Sequence, residues 1–383
     1  MAEVTDIRRL WKKQKRRRRF WQALMVLALL VLFFVIAVNW GTISSYLVLP
    51  DADASLRRET AGELPVAVDG SKYHQLLSDE DHLLIVQDVS VDRYDAGVGF
   101  YDRYPHSLTE PRADFAGHWT VVYAPGAYKA VLYREDRLSW EWTGEDRLLT
   151  AAVSKEGKVA IAGCSGLYSS RVTVYNKNKK ELLKLDTDEQ VTVMEFSEND
   201  ACMAVASTTT KAGALVSSIR QLRFGNSQAD YELSLPGEWV LKMQYTKAGN
   251  LMVVCNGGVY LFDPSGKQIS YMVYPAELLA VTCNSQRLIF SLESTDPEKS
   301  RLIMLNEQFD LLCDLQLAGK SVSLSLSDKR AVAVTEESVY LFAADGMSGT
   351  FYQTRVGVRY AAYLNGRMIA VTDQELIELF PTK

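Results

Sequence analysis

LMVVCN at residues 251–256 and GVYLFDPSGK at 258–267 decide the fold. Each begins as a short apolar run of about strand length. A glycine separates them, the second ends on an aromatic, and Asp-Pro-Ser-Gly follows as a turn. Two strands joined tightly and closed by turn residues read as a β-hairpin. The same unit recurs along the chain. AVAVTE (331–336) precedes SVYLFAADG (338–346), and KVAIAGC (158–164) precedes RVTVYNKNKK (171–180). RLIFSLES with RLIMLNEQF, MIAVTD with ELIELF, and WTVVYAPG with KAVLYRED have the same form. ACMAVAS with SIRQLRFGN is a looser copy, with a polar insert TTTKAG, Thr208 to Gly213, between its halves. HLLIVQDVSV with VGFYDRY opens the series least regularly.

Working outward, each hairpin has flanking strands. LLTAAVS at 148, VTVMEFS at 191, VLKMQYT at 240, LLAVTCN at 278 and VSLSLSD at 322 precede hairpins; ELLKLD (181–186) and LLCDLQL (311–317) follow them. Turns such as SKEGK and TKAGN join the preceding strand to the hairpin, with Gly157 and Gly249 free to take φ > 0. Four strands recurring at about 40 residues are the spacing of propeller blades. No helical period of useful length follows residue 63, which argues against a parallel α/β sheet, and long-range regularity disfavours a sandwich. The expected fold is all-β: a β-propeller of eight blades, with seven as the runner-up. ELIELF stands close to Lys383, so the last blade lacks an outer strand. LPVAV (64–68) or Tyr73 to Leu77 is expected to supply it and close the ring.

The N-terminal end is different in kind. Nine Lys or Arg residues lie between Arg8 and Arg19, then FWQALMVLALLVLFFVIAV runs from Phe20 to Val38. A helix of that length spans about 28 Å, close to a bilayer's hydrocarbon core. Trp21 and Trp40 bracket it, and basic residues precede it, which predicts a cytoplasmic N-terminus and everything beyond Trp40 outside. The run is longer than a signal-peptide core and has no small-residue cleavage pair, so an uncleaved anchor is expected. No cysteine follows it that would carry a lipid. The expected order is a basic segment 1–19, a transmembrane helix 20–38, a stalk 39–63 and a propeller 64–383. The partners expected are the lipid bilayer, through residues 20–38, and an envelope or membrane protein. The first 19 residues hold nine of the 42 basic and two of the 47 acidic residues, leaving the remainder near −12. An acidic exterior disfavours nucleic acid.

Chemistry is sparse. The four histidines, His74, His82, His106 and His118, show no ligand spacing. The five cysteines, Cys164, Cys202, Cys255, Cys283 and Cys313, form no CxxC pair and read as buried free thiols. Ser165 lacks a nucleophile-elbow context, and Gly97-Val98-Gly99 is no dinucleotide loop. Asp88, Asp92, Asp95 and Asp102 are the densest acidic group, interleaved with Arg93, Tyr94 and Arg103; solvated loops are the expectation, hard-cation binding the alternative. Trp119, Trp140, Trp142 and Trp239 are candidates for a binding face, with packing between blades the plainer use, above all for Trp140 and Trp142, which share a parity.

VSKEGKVAIAG and SSRVTVYN within 153–176, and MEFSENDACMAVAS at 194–207, together with the basic N-terminus and apolar span, resemble the DUF5711 family. That is a group of membrane-anchored proteins of Gram-positive bacteria. The resemblance covers nearly the whole chain and implies no catalytic residue or cofactor. The repeats are also distantly similar to WD40-like and quinoprotein-like propellers. The expected function is a membrane-tethered, extracytoplasmic scaffold that binds protein or peptide without catalysis, localised to the plasma membrane as a single-pass protein. The alternatives are a ligand sensor acting through a membrane partner and a quinoprotein-like enzyme. No catalytic residue, cofactor or metal ligand is expected. Because repeats put insertions on a binding face, Thr208, Thr209, Thr210 and Lys211 are the candidate partner-binding loop.

Overall fold

The computed structural model describes residues 64–380 apart from 69–72, 80, 96–99, 136, 227, 347–348 and 354–356. The basic segment, apolar span and stalk read at 1–63 lie outside the described residues, as does the Gly97-Val98-Gly99 stretch.

Alternation of apolar and polar side chains, punctuated by Gly, Asn and Asp turns, folds the chain into eight four-stranded antiparallel sheets. Seven are sequential: residues 75–105, 112–143, 148–187, 190–236, 240–273, 278–318 and 321–353. The eighth, 358–379, has only three strands of its own, and Val66–Ala67 completes it. Val66 pairs with Leu376 and Ala67 with Glu375, antiparallel. The Val68 N–H then donates to the Gln374 carbonyl at 2.9 Å. The result is an eight-bladed β-propeller.

The second and third strands of each blade are apolar on both faces because they are sandwiched between neighbouring blades. Eight hydrophobic clusters follow, one per junction. Blades 5 and 6 share Met252, Val254 and Leu261 with Leu288, Phe290 and Leu292. Blades 8 and 1 share Ile369, Val371 and Leu376 with Leu83 and Ile85, and Val68 sits in that same cluster. Ring closure is thus a packed interface as well as a strand pairing. At about 25 cal/mol per Å² of apolar surface, such junctions dominate the stability.

The inner strands leave one backbone edge unpaired toward the axis, and side chains from neighbouring blades answer it. Gln75 Oε1 accepts from the Ala113 N–H at 3.0 Å, and Asp114 Oδ2 from the Val153 N–H at 2.8 Å. Ser325 Oγ donates to the Ala361 carbonyl at 2.7 Å. The turns from inner to second strand take the expected shape. In SKEGK, the Ser154 N–H donates to the Lys158 carbonyl at 2.9 Å, and Gly157 has φ +79. A Cβ there would also lie 2.4 Å from the Trp119 ring, so conformation and space both demand glycine.

Three expectations need correction, and one pair of alternatives is resolved. HLLIVQDVSV is two strands, His82–Val86 and Ser90–Asp95, turning at Asp88-Val89 without Gly or Pro to mark it. VGFYDRY therefore supplies the outer strand, Phe100–Pro105. Of the two closing candidates, LPVAV closes the ring; Gln75–Ser78 is the inner strand of blade 1. TTTKAG is not a loop: Cys202–Lys211 and Ala214–Arg223 are ten-residue strands, and Ala212-Gly213 is the turn. β-Branched threonines extend the ladder where their polarity suggests a loop. Finally, all five cysteines are free, but Cys164 is exposed. It follows the second strand of blade 3, Val159–Gly163, and opens the loop beyond it.

Candidate interaction face

Antiparallel topology gives the ring two unlike faces. One carries the turns from first to second and from third to fourth strand; we call it the turn face. The other carries the second-to-third hairpin ends and the links between blades, and is called the loop face.

On the turn face, polar side chains are spent on neighbouring blades. Asp200 of blade 4 accepts from Ser154 Oγ at 2.8 Å and the Glu156 N–H at 3.1 Å, and Lys158 Nζ stands 3.2 Å away, all from blade 3. Arg287 of blade 6 is buried and donates to the Ser327 and Asp328 carbonyls of blade 7. The Lys247 N–H of blade 5 donates to the Ser285 carbonyl of blade 6 at 3.2 Å.

The loop face instead presents apolar side chains to solvent. Val89, Tyr128, Leu167, Tyr168, Trp239, Leu241 and Val322 are all exposed there, Leu167 at 87%. Apart from those on outer strands, Phe380 is the one exposed large hydrophobic of the turn side among the described residues.

The hairpin of blade 4 rises from this face. In the ladder its inner neighbour pairs no further than Thr208 and its outer neighbour no further than Val216, beyond which the Gly237 N–H still donates to the Leu215 carbonyl at 2.8 Å. The pairs Thr210–Leu215 and Lys211–Ala214, with Thr209, therefore overhang by roughly 10 Å. The base is fastened by Glu189, a buried carboxylate in the link from blade 3. Ser207 Oγ donates to it at 2.6 Å and Ser218 Oγ at 3.1 Å, and Arg220 pairs with it at 3.3 Å. Of the four residues expected to bind a partner, Thr208 is buried, Thr209 half-buried, and Thr210 and Lys211 exposed. They lie at the loop-face end of blade 4, and their form is a strand where a loop was expected. Glu189 was not singled out from sequence, because an Asp-Glu pair in a polar link carries no local mark.

Around the mouth of the axial channel a second regularity appears. The inner strands of blades 3 to 8 each slip register near their start, at the second residue in five of them (Leu149, Leu241, Leu279, Val322 and Arg359) and at the third, Thr192, in blade 4. Such a bulge bends the strand and re-aims its side chain. Leu241 and Val322 come out 43% and 42% exposed.

Deeper along the axis stand Asp114, Glu195, Lys242 and Gln244, from the inner strands of blades 2, 4 and 5. They are surrounded by protein yet keep a fraction of accessible surface. Burial pushes the Asp114 carboxyl up to about 6, opposed by the Val153 N–H and by Lys242. Burial and then the Asp114 charge hold Glu195 well above the usual carboxylate range. Gln244 Nε2 donates to Glu195 at 3.1 Å.

The remaining sequence candidates do not converge. Asp92 is buried in a strand, contrary to the solvated loop expected; Arg103 grips it with two bonds of 2.9 Å. Asp88 pairs with His74, His82 with Asp79 at 3.2 Å, and His118 with Glu135 at 3.4 Å. Trp119, Trp140 and Trp142 pack between blades 2 and 3. Among the described residues, no three His, Cys, Asp or Glu side chains gather as a metal site. A cleft of about 220 Å³ between blades 1 and 2 has its charged rim, Lys129 and Glu141, already paired at 2.8 Å.

The fold is that of an eight-bladed β-propeller whose loop face carries most of the exposed apolar side chains outside the outer strands. The chain belongs to the family of unknown function DUF5711, whose profile matches residues 103–379. No curated protein sequence matches it. Among solved structures it is similar to Sqt1 of Saccharomyces cerevisiae, at 10% identity and a TM-score of 0.59, covering 83% of this chain and 98% of that one. It is also similar to BamB of Moraxella catarrhalis, at 12% identity and a TM-score of 0.52, covering 84% and 98%. Identities this low speak to fold alone.

Proposed function

We propose that this protein is a membrane-tethered, extracytoplasmic scaffold that holds protein or peptide partners on its loop face, and that it is not an enzyme. The observation that carries the reading is the asymmetry of exposed apolar side chains, which crowd the loop face while the turn face is knitted blade to blade. Solvent-exposed apolar groups beside a rigid projecting element are the usual makings of a protein interface. The apolar span at 20–38, with basic residues before it, supports tethering with the propeller outside.

The test is crosslinking in intact cells, read by mass spectrometry. Replacing Thr209 to Leu215 by a short Gly-containing turn is expected to keep the melting temperature and remove the captured partner. An unchanged set of partners in this variant and in Leu241→Asp would refute the loop-face reading. A tightly bound quinone, haem or catalytic metal in the purified protein would refute the scaffold reading.

A further inference from the structure

Resting on the loop-face reading, we infer that the partner segment is basic and carries an apolar anchor. The anchor seats on an apolar arc at the channel mouth, and its Lys or Arg residues meet carboxylates alongside.

The arc comes from three consecutive blades at one structural position. Leu241 of blade 5, Leu279 of blade 6 and Val322 of blade 7 are the bulge residues of their inner strands. Leu241 and Val322 are exposed, Leu279 is half-buried between them, and Trp239 stands exposed two residues before Leu241. A repeated bulge places these side chains at equivalent heights round the axis, so they form one surface rather than scattered positions.

The flanking charge is mainly acidic, with one exposed lysine, Lys320, opposite Glu336. The Glu293 N–H donates to the Glu277 carbonyl at 2.9 Å, which sets two exposed glutamates side by side on blade 6, next to Leu279. The Glu336 N–H donates to the Lys320 carbonyl at 3.2 Å, which puts Glu336 beside Val322 on blade 7. Glu277, Glu293 and Glu336 form no ion pair among the described residues, nor does the exposed Glu298. Lys299 is already engaged with Asp296 at 2.9 Å, leaving Lys320 as this arc's cation among the described residues. Adjacent like charges in solvent repel, and a cation arriving between them removes that cost. Complementary charge selects partners and steers their approach, while an apolar contact supplies holding strength. An acidic or neutral apolar segment would leave the carboxylates unrelieved.

The experiment uses the full chain in nanodiscs of neutral phosphatidylcholine, so that the lipid itself attracts no basic probe. The probes are three fluorescein-labelled synthetic peptides of equal length: one alternating Lys and Leu blocks, one with every Lys replaced by Glu, one with every Leu replaced by Ser. Fluorescence anisotropy is expected to show binding of the Lys/Leu peptide only, weakening roughly tenfold when salt shortens the Debye length from about 10 Å to about 5 Å. Glu277→Gln with Glu293→Gln, and separately Leu241→Ser with Val322→Ser, should each weaken it about tenfold at unchanged melting temperature. Equal binding of the Glu/Leu peptide, no binding by any peptide, or indifference to the glutamate pair would overturn the inference. The loop-face reading is decided separately, by whether Leu241→Asp abolishes the cellular crosslink. A lost crosslink with indifferent glutamates refutes the basic partner alone.

Discussion

Asp114 carries an electrostatic cost that a single substitution exposes. Its folded carboxyl titrates near 6, against about 4 in an unfolded chain. Between those values the folded protein holds a proton that the unfolded chain has released. Stability contributed by this group is therefore fully present below about pH 4 and falls as pH rises through 6. Glu195 and Lys242 face the same space, and Glu195 adds a cost of the same sign. Asp114→Asn keeps an oxygen for the Val153 N–H and removes the charge. It is expected to stabilise the domain by about 1–3 kcal/mol at pH 7.5, with the gain vanishing near pH 4, as measured by denaturant unfolding across that range. A gain independent of pH would show that the carboxyl is not strained by burial. Phe290 tests packing instead. It is wholly buried between blades 5 and 6, and Phe290→Ala should cost about 3–5 kcal/mol at any pH.

At the scale of the element, the closing strand is the informative one. Only two residue pairs join it to blade 8, yet Val68 lies buried in the junction with blade 1. Deleting residues 64–68 opens an edge and strips that junction. It is expected to lower the melting temperature by several degrees and broaden the transition, whereas the blade 4 overhang can be trimmed without either effect. Differential scanning calorimetry of both variants distinguishes them. The hairpins themselves were legible because a run such as LMVVC, flanked by Gly and Asp-Pro-Ser-Gly, has one stable solution. Ring closure was legible as a missing partner, an argument about edges rather than propensity. Two things were hidden. Thr208 to Lys211 look like loop because polarity tracks solvent, and the strand leaves its neighbours and reaches solvent at Thr210 and Lys211. The channel-mouth arc was hidden because a bulge shifts register by one residue, which sequence alternation does not record.

At the scale of the molecule, exposed Cys164 turns topology into a direct measurement. The other four thiols are buried, so Cys164 is the native reporter of where the propeller lies. If the chain is anchored through 20–38 with its N-terminus inside, an impermeant maleimide should label intact cells, and Cys164→Ser should abolish that labelling. Labelling only after lysis would place the propeller in the cytoplasm and refute the tethered reading. Net acidity of the region beyond residue 19 favours a soluble exterior and works against binding nucleic acid.

The two-residue closing strand also fixes a load path. Any pull transmitted along the chain from residues before Leu64 reaches the ring first at Val66 and Ala67, the shortest pairing among the described residues. Tension would therefore peel blade 8 open before it strained any interior blade, and the force at which the propeller gives way is set by the seam that completes it. If an anchor held the chain and a partner gripped the opposite side, the load would fall on that seam, and the joint that makes the fold continuous would act as its mechanical fuse.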